Sequence, residues 1–261
     1  MITFIRKIRQ RLLADNKLSK YFVYATGEIV LVVIGILIAL SINNWNETKR
    51  NSKKEFYLLK QLQKEFKKDS SNLYTQAWLT NLKVTDGKMI KSFLNNNSSL
   101  RKYSLVSFLF FNGKVLLFQS HTPTKDENIS SGNLSLISNE ELKTKISNYK
   151  SNISSTNSFL FKEAHEHKKN YNSHLYKYFD AEIMTHIWKN TNRRSKRLIT
   201  DEAMKKFKID VDGFKKDPKS LYHVSTIIGV DSELNFQYED RINTRIYTIL
   251  EIIKNELKKF E

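Results

Sequence analysis

The chain has 261 residues, a net charge of +17 and no cysteine, which excludes disulfides, thiolate catalysis and every zinc site that needs sulfur. Hydrophobic residues make up 40% and aromatics 12%, enough to bury a core and too many for a disordered chain. Seven glycines and two prolines are too few for the many turns of a sheet-rich fold, so long helices are expected.

Residues 1–20 open the chain as a basic amphipathic segment. Ile5, Ile8 and Leu12 fall at i, i+3 and i+7, with Arg6, Lys7, Arg9 and Arg11 around the remaining surface. Such a segment lies on an anionic cytoplasmic leaflet or acts as a positively charged flank. Residues 21–46 follow as a transmembrane helix. From Phe22 to Trp45 a helix measures about 36 Å, which spans a hydrocarbon core of about 30 Å with modest tilt. Tyr21, Phe22 and Tyr24 at one end and Trp45 at the other supply interfacial aromatics. The uninterrupted apolar run Ile29 to Leu40 has no soluble explanation. A cleaved signal peptide is the rival reading, and the length of the run and of the charged region before it argues against one.

Glu28 shares a helical face with Gly35, Ala39 and Asn43, at i+7, i+11 and i+15. Gly35-x-x-x-Ala39 is a small-xxx-small step that admits a second helix, in a homo-oligomer or a partner membrane protein, with Glu28 hydrogen-bonded across the contact. The alternative is a Glu28 side chain that reaches back to the headgroups. Basic residues flank the span on both sides, so the charge rule is nearly balanced. A basic start before one uncleaved apolar helix behaves as a signal anchor, which places the N-terminus in the cytoplasm and the body in the periplasm of a bacterial inner membrane.

Residues 47–261 read as one helical soluble domain with long helices at about 50–94, 139–180 and 232–260. In the first, Phe56, Leu59, Leu62, Phe66, Leu73, Ala77 and Val84 recur at spacings of three, four and seven. Asp86-Gly87 offers a break, and Asn95 to Ser99 ends the helix. Residues 103–119 are ambiguous. Asn112-Gly113 between apolar runs signals a hairpin, whereas Val106, Phe110, Gly113 and Leu117 fit a buried helical face. Helix is the expectation, because no other segment offers strands to extend a hairpin. Ser138-x-x-Glu141 reads as a capping box. Behind it runs the stripe Leu142, Ile146, Tyr149, Ile153, Thr156, Leu160, Ala164, His167, Tyr171, Leu175 and Tyr178. Residues 181–230 are polar and broken, with Asp217-Pro218 as a stop. Asp231 is the expected N-cap of the last helix, whose face is Ile242, Ile246, Ile249, Ile253, Leu257 and Phe260. The fold class is therefore all-α: one N-terminal transmembrane helix continuing into a soluble antiparallel bundle.

Chemistry is sparse. His167 and His174 could share a face with Glu163, but the spacing is not that of a metal-binding helix, and a packed histidine is the simpler reading. The glycines at 87, 113, 132, 213 and 229 are isolated, so no phosphate loop exists, and no nucleophile motif accompanies Ser120 or His121. No catalytic, cofactor-binding or metal-binding residue is assigned, and enzyme activity is not expected. The one charge cluster runs through 189–197, with Arg193, Arg194, Lys196 and Arg197. It suits nucleic acid, anionic lipid or an acidic partner, or is a solvated loop. Lysines number 34 against 10 arginines, a balance that reads as compositional bias more than as nucleic-acid recognition.

Two stretches, GEIVLVVIGILIALSINNWNE (Gly27 to Glu47) and SSGNLSLISNEELKTKISNY (Ser130 to Tyr149), resemble the signatures of an uncharacterised Bacteroidota family of single-pass membrane proteins, classed as a domain of unknown function. The resemblance implies an uncleaved anchor and a helical body, and carries no catalytic residues with it. The resulting expectation is a membrane-anchored helical bundle of the bacterial cell envelope, serving as an interaction, scaffold or sensor module. The alternative is a cytoplasmic-facing nucleic-acid or anionic-lipid binder that uses 189–197.

Overall fold

The computed structural model describes residues 18–190 and 204–261. The segment 1–17 and the cluster Arg193, Arg194, Lys196 and Arg197 lie outside the described residues. The chain divides into two compact units, one ending at Tyr57 and the other running from Leu58 to Glu261. All regular structure described is helical. In chain order it comprises α1 (Leu18–Leu94), α2 (Lys102–Asn112), α3 (Pro123–Ser130), α4 (Glu140–Leu175), α5 (Glu182–Asn190), α6 (Val211–Lys216), α7 (Pro218–Phe236) and α8 (Asn243–Leu257). Among the described residues one antiparallel bridge joins Phe179 to Ile209.

The first unit is the N-terminal part of α1. It is long and apolar enough to cross a membrane. Ile29, Leu31, Val32, Ile36, Leu37, Ile38 and Leu40 are all exposed, an arrangement that burial in a protein core does not explain.

In the second unit, α1 buries Leu59, Leu62, Phe66, Leu73, Ala77 and Val84, the face its periodicity predicted. Asp86-Gly87 does not break the helix. A Cβ on Gly87 would stand 2.6 Å from Ile228 Cγ1, so glycine is there to let α7 come close. The helix ends where expected, on Asn96 at φ 61°, with the Asn97 N–H donating to the Ser92 carbonyl at 2.9 Å.

The remaining ends differ in part from the sequence reading. The cap of α4 is Asn139 rather than Ser138, its side chain accepting from the Leu142 N–H at 2.8 Å. The other end of the same amide donates to Glu256 at 2.7 Å, tying the start of α4 to the end of α8. Asp217-Pro218 stops α6, as expected, and also starts the next helix: Asp217 is the C-cap of α6 and the N-cap of α7, and Pro218 occupies the first turn of α7, where a missing N–H costs nothing. Asp231 is accordingly no cap. It lies inside α7 and is fully buried.

The last helical element, α7 followed by a π turn at Gln237–Ile242 and then α8, runs the other way from both α1 and α4. Lys83 meets Asp231 and Gly87 meets Ile228, while Lys168 meets Asp231 and His174 meets Ser220. From α4 the core takes Leu142, Ile146, Tyr149, Ile153, Leu160, Ala164, Tyr171 and Leu175, and the side chain of Thr156 is outside the described set. The α8 face of Ile246, Ile249, Ile253 and Leu257 is buried as its spacing predicted. Residues 103–119 are neither a hairpin nor one helix. The segment is helical to Asn112, then irregular from Lys114 onward with no strand pairing.

Candidate functional site

An irregular segment that passes through a core must place its carbonyls somewhere. Between Leu109 and Phe118 five of the ten carbonyls are met by a side chain from another helical element. Tyr171 Oη donates to the Leu109 carbonyl at 2.9 Å, and Lys168 Nζ to that of Asn112 at 2.6 Å. Asn172 Nδ2 donates to the Gly113 carbonyl at 3.0 Å, and Lys83 Nζ to the Lys114 carbonyl. Tyr238 Oη donates to the Leu116 carbonyl at 2.9 Å and accepts from the Phe118 N–H at 3.0 Å. The C-terminal end of α2 carries partial negative charge, so ammonium groups are suited to cap it. Gly113 is required for this packing, because a Cβ there would fall 2.0 Å from Asn172 Oδ1.

The two capping lysines share one carboxylate. Lys83 Nζ is 2.9 Å from Asp231 Oδ1, and Lys168 Nζ is 2.5 Å from Asp231 Oδ2. All three side chains are at most 2% exposed. Three helices thus meet at a centre of two lysines and one carboxylate, a set that carries an excess positive charge only while both lysines are protonated. Burial, and then the charge of Lys83, pushes the Lys168 ammonium well below the ordinary lysine range against the pull of Asp231. A cleft of about 470 Å³ lies alongside, lined by Gly113, Lys168, Lys169, Asn172 and others. It gives little access to the ammonium, since Lys168 is almost fully buried.

One turn beyond Lys83, Asp86 is buried with only 6% exposed, and desolvation raises its carboxyl to about 7. A folded-state value above the unfolded one means that folding favours the protonated form. Stability from this group is complete below about 4 and is lost as pH rises through about 7. Asp86→Asn removes that loss. Its melting temperature should exceed the parent's at pH 8 by the equivalent of about 1–3 kcal/mol, with a clearly smaller gain at pH 5 that vanishes only near pH 4. Equal gains at both pH values would contradict the assignment.

A second polar cluster holds the connector between α2 and α3 onto α1. Asp69, fully buried, accepts from Ser120 Oγ at 2.5 Å, the His121 N–H at 2.9 Å and Tyr149 Oη at 3.0 Å. One turn earlier, Glu65 accepts from the Thr124 N–H at 2.8 Å. Ser120 is thus bonded to a carboxylate that positions backbone, and His121 is exposed.

The histidines divide. His174 is buried at the α4–α7 contact, with Nε2 2.8 Å from Ser220 Oγ and its ring 4.8 Å from that of His223. Burial lowers the pKa of both, and each is lowered further by neighbouring charge: His223 acts on His174, and Lys177 on His223. His167 is half-buried beside Glu163 in a groove between α4 and α7, while His165 is exposed and stacks on Phe161. The spacing that put His167 and His174 on one face does not bring them to one site. Among the described residues no three histidine, aspartate or glutamate side chains are placed to hold a metal ion.

Glu28, Gly35, Ala39 and Asn43 lie on unbroken, exposed helix, and a Cβ at Gly35 would meet nothing within 4 Å. Sequence reasoning missed Lys83, Asp69 and Lys168. Asp69 and Lys83 do fall on the buried arc of α1, Asp69 three residues after Phe66 and seven after Leu62, and Lys83 four after Leu79, and a charge at an apolar position was the available signal.

A family model described as a family of unknown function, DUF6090, matches residues 28–201. Neither the curated proteins nor the solved structures give a match to the chain.

Proposed function

The chain belongs to the DUF6090 family, and we propose that it is a single-pass inner-membrane protein whose helical body acts, without catalysis, as an interaction, scaffold or sensor module of the bacterial cell envelope. In this reading the N-terminus is cytoplasmic and the body periplasmic. The observation that carries it is the exposed apolar run Ile29 to Leu40 within a helix that continues, without a break, to Leu94. The non-enzymatic part is supported by how the buried polar groups are used. Lys83, Lys168, Asp231 and Asp69 are occupied in closing backbone hydrogen bonds and one another's charges, and the cleft beside Lys168 gives little access to its ammonium. The face of Glu28, Gly35, Ala39 and Asn43 is the membrane-level contact for a second helix.

Topology tests the reading. The native chain has no cysteine, and Ser232 is exposed on α7. Ser232→Cys should react with a membrane-impermeant maleimide in intact spheroplasts before lysis. Reaction only after lysis would place the body in the cytoplasm and overturn the envelope reading, leaving 189–197 as the first cluster to test for nucleic-acid or anionic-lipid binding.

A further inference from the structure

Opposite its buried face, α1 carries a second apolar stripe that nothing among the described residues covers. Tyr74 is 75% exposed, Trp78 51%, Met89 43% and Leu82 36%. With Thr85 they are spaced at four, four, three and four residues. That is close to an eleven-residue period, about 3.67 residues per turn, which follows a straight helix almost without drift. The stripe therefore runs along the axis for about 23 Å at 1.5 Å per residue.

Its surroundings say what it accommodates. The chain is 27% charged with a net charge of +17, yet between Lys68 and Lys88 the exposed residues of α1 are Ser71, Asn72, Tyr74, Thr75, Trp78, Asn81, Leu82 and Thr85, none of them charged. The three charges in that interval, Asp69, Lys83 and Asp86, are buried. Thr75 and Thr85 turn their hydroxyls back to the carbonyls of Ser71 and Asn81, at 3.1 and 3.0 Å, and so add methyl groups to the surface. An acidic partner would be met by lysines, and this surface offers it none. A second copy of so basic a chain is repelled wherever lysines face lysines, and can approach only across a charge-free face. A large exposed aromatic at the middle of such a face is the usual anchor of a protein contact.

We propose that this stripe is a two-fold contact between copies of the chain, in which Trp78 and Leu82 of one α1 pack against the same residues of the other. The two helices run in the same direction, and this rests on the anchored reading above, in which both copies enter one membrane the same way. The contact is isologous, so each residue near the axis meets its own counterpart.

The absence of cysteine makes the test direct. Full-length chain in lipid nanodiscs, carrying Trp78→Cys or Leu82→Cys, should form a disulfide-linked dimer on mild oxidation. Tyr247→Cys, exposed on α8 away from the stripe, should not. Trp78→Glu should raise the dimer dissociation constant at least tenfold with an unchanged far-UV spectrum. No cross-link at 78 or 82, cross-linking at 247 to the same extent, or a dimer indifferent to Trp78→Glu would overturn the proposal. Loss of the dimer in Gly35→Leu alone would overturn it too, while leaving the membrane-anchored interaction reading intact. Failure of that reading is scored separately, by the maleimide reaction at Ser232→Cys.

Discussion

Asp231→Ala should cost about 3–5 kcal/mol, the largest loss expected from any single substitution in the body. Among the described residues the carboxylate is the sole ion-pair partner of the two buried lysines, at 2.9 and 2.5 Å. Without it, Lys83 and Lys168 keep only the carbonyls of Lys114 and Asn112 and repel each other across a cavity. Removing one lysine acts differently, because the remaining lysine and Asp231 still form a neutral pair. Lys168→Met then leaves one carbonyl, that of Asn112, without its donor, at a cost of about 1–2 kcal/mol, and relieves the excess positive charge. The expected order is therefore Asp231→Ala well below Lys168→Met in stability. Urea unfolding of the full chain in detergent, followed by far-UV circular dichroism, measures both. The reverse order, or a loss under about 1 kcal/mol for Asp231→Ala, would show that the centre does not hold the core together.

The same centre marks where the sequence stopped being legible. Apolar periodicity located the buried faces of α1, α4 and α8, because burial of one stripe is what the spacing encodes. It also located the exposed run from Ile29 to Leu40, since a long apolar stretch without charge has few other uses. Local chemistry transferred less well. Asp231 looks like an N-cap because it is an aspartate before an apolar-periodic helix. That assignment fails since Pro218, thirteen residues earlier, already starts the helix. Asn112-Gly113 looks like a hairpin turn, and its real role is to end α2 and let Asn172 approach. Lys83 and Lys168 read as solvated charges until the irregular segment after Asn112 is seen to need donors. Such partnerships join residues separated by as many as 148 positions, and spacing along a chain says nothing about pairs that distant. The stripe of Tyr74, Trp78, Leu82 and Met89 was in view in the sequence too. Without knowledge of which face α1 buries, however, its apolar residues merge with the core.

Asp69→Ala is the second large loss, at about 2–4 kcal/mol, and it should be local before it is global. The Asp69 carboxylate accepts from Ser120 Oγ, the His121 N–H and Tyr149 Oη, so one truncation strands a backbone donor and a buried phenol together. Burial and the neighbouring Asp69 charge already hold the Tyr149 phenol far above its ordinary range, so it cannot adapt by ionising. Tyr149→Phe, in contrast, removes one donor and leaves the carboxylate its other two, and should cost about 1 kcal/mol. Hydrogen exchange separates a local from a global effect. In Asp69→Ala the amides of residues 119–126 should exchange at least tenfold faster, while those of α4 and α7 around Lys168 and Asp231 slow or hold in proportion to overall stability. Uniform acceleration across both clusters would mean that the connector has no independent opening and that Asp69 belongs to a single cooperative core with the lysine centre. Selective acceleration would establish the connector as a separately released segment, held to α1 by a carboxylate at Asp69 and another at Glu65.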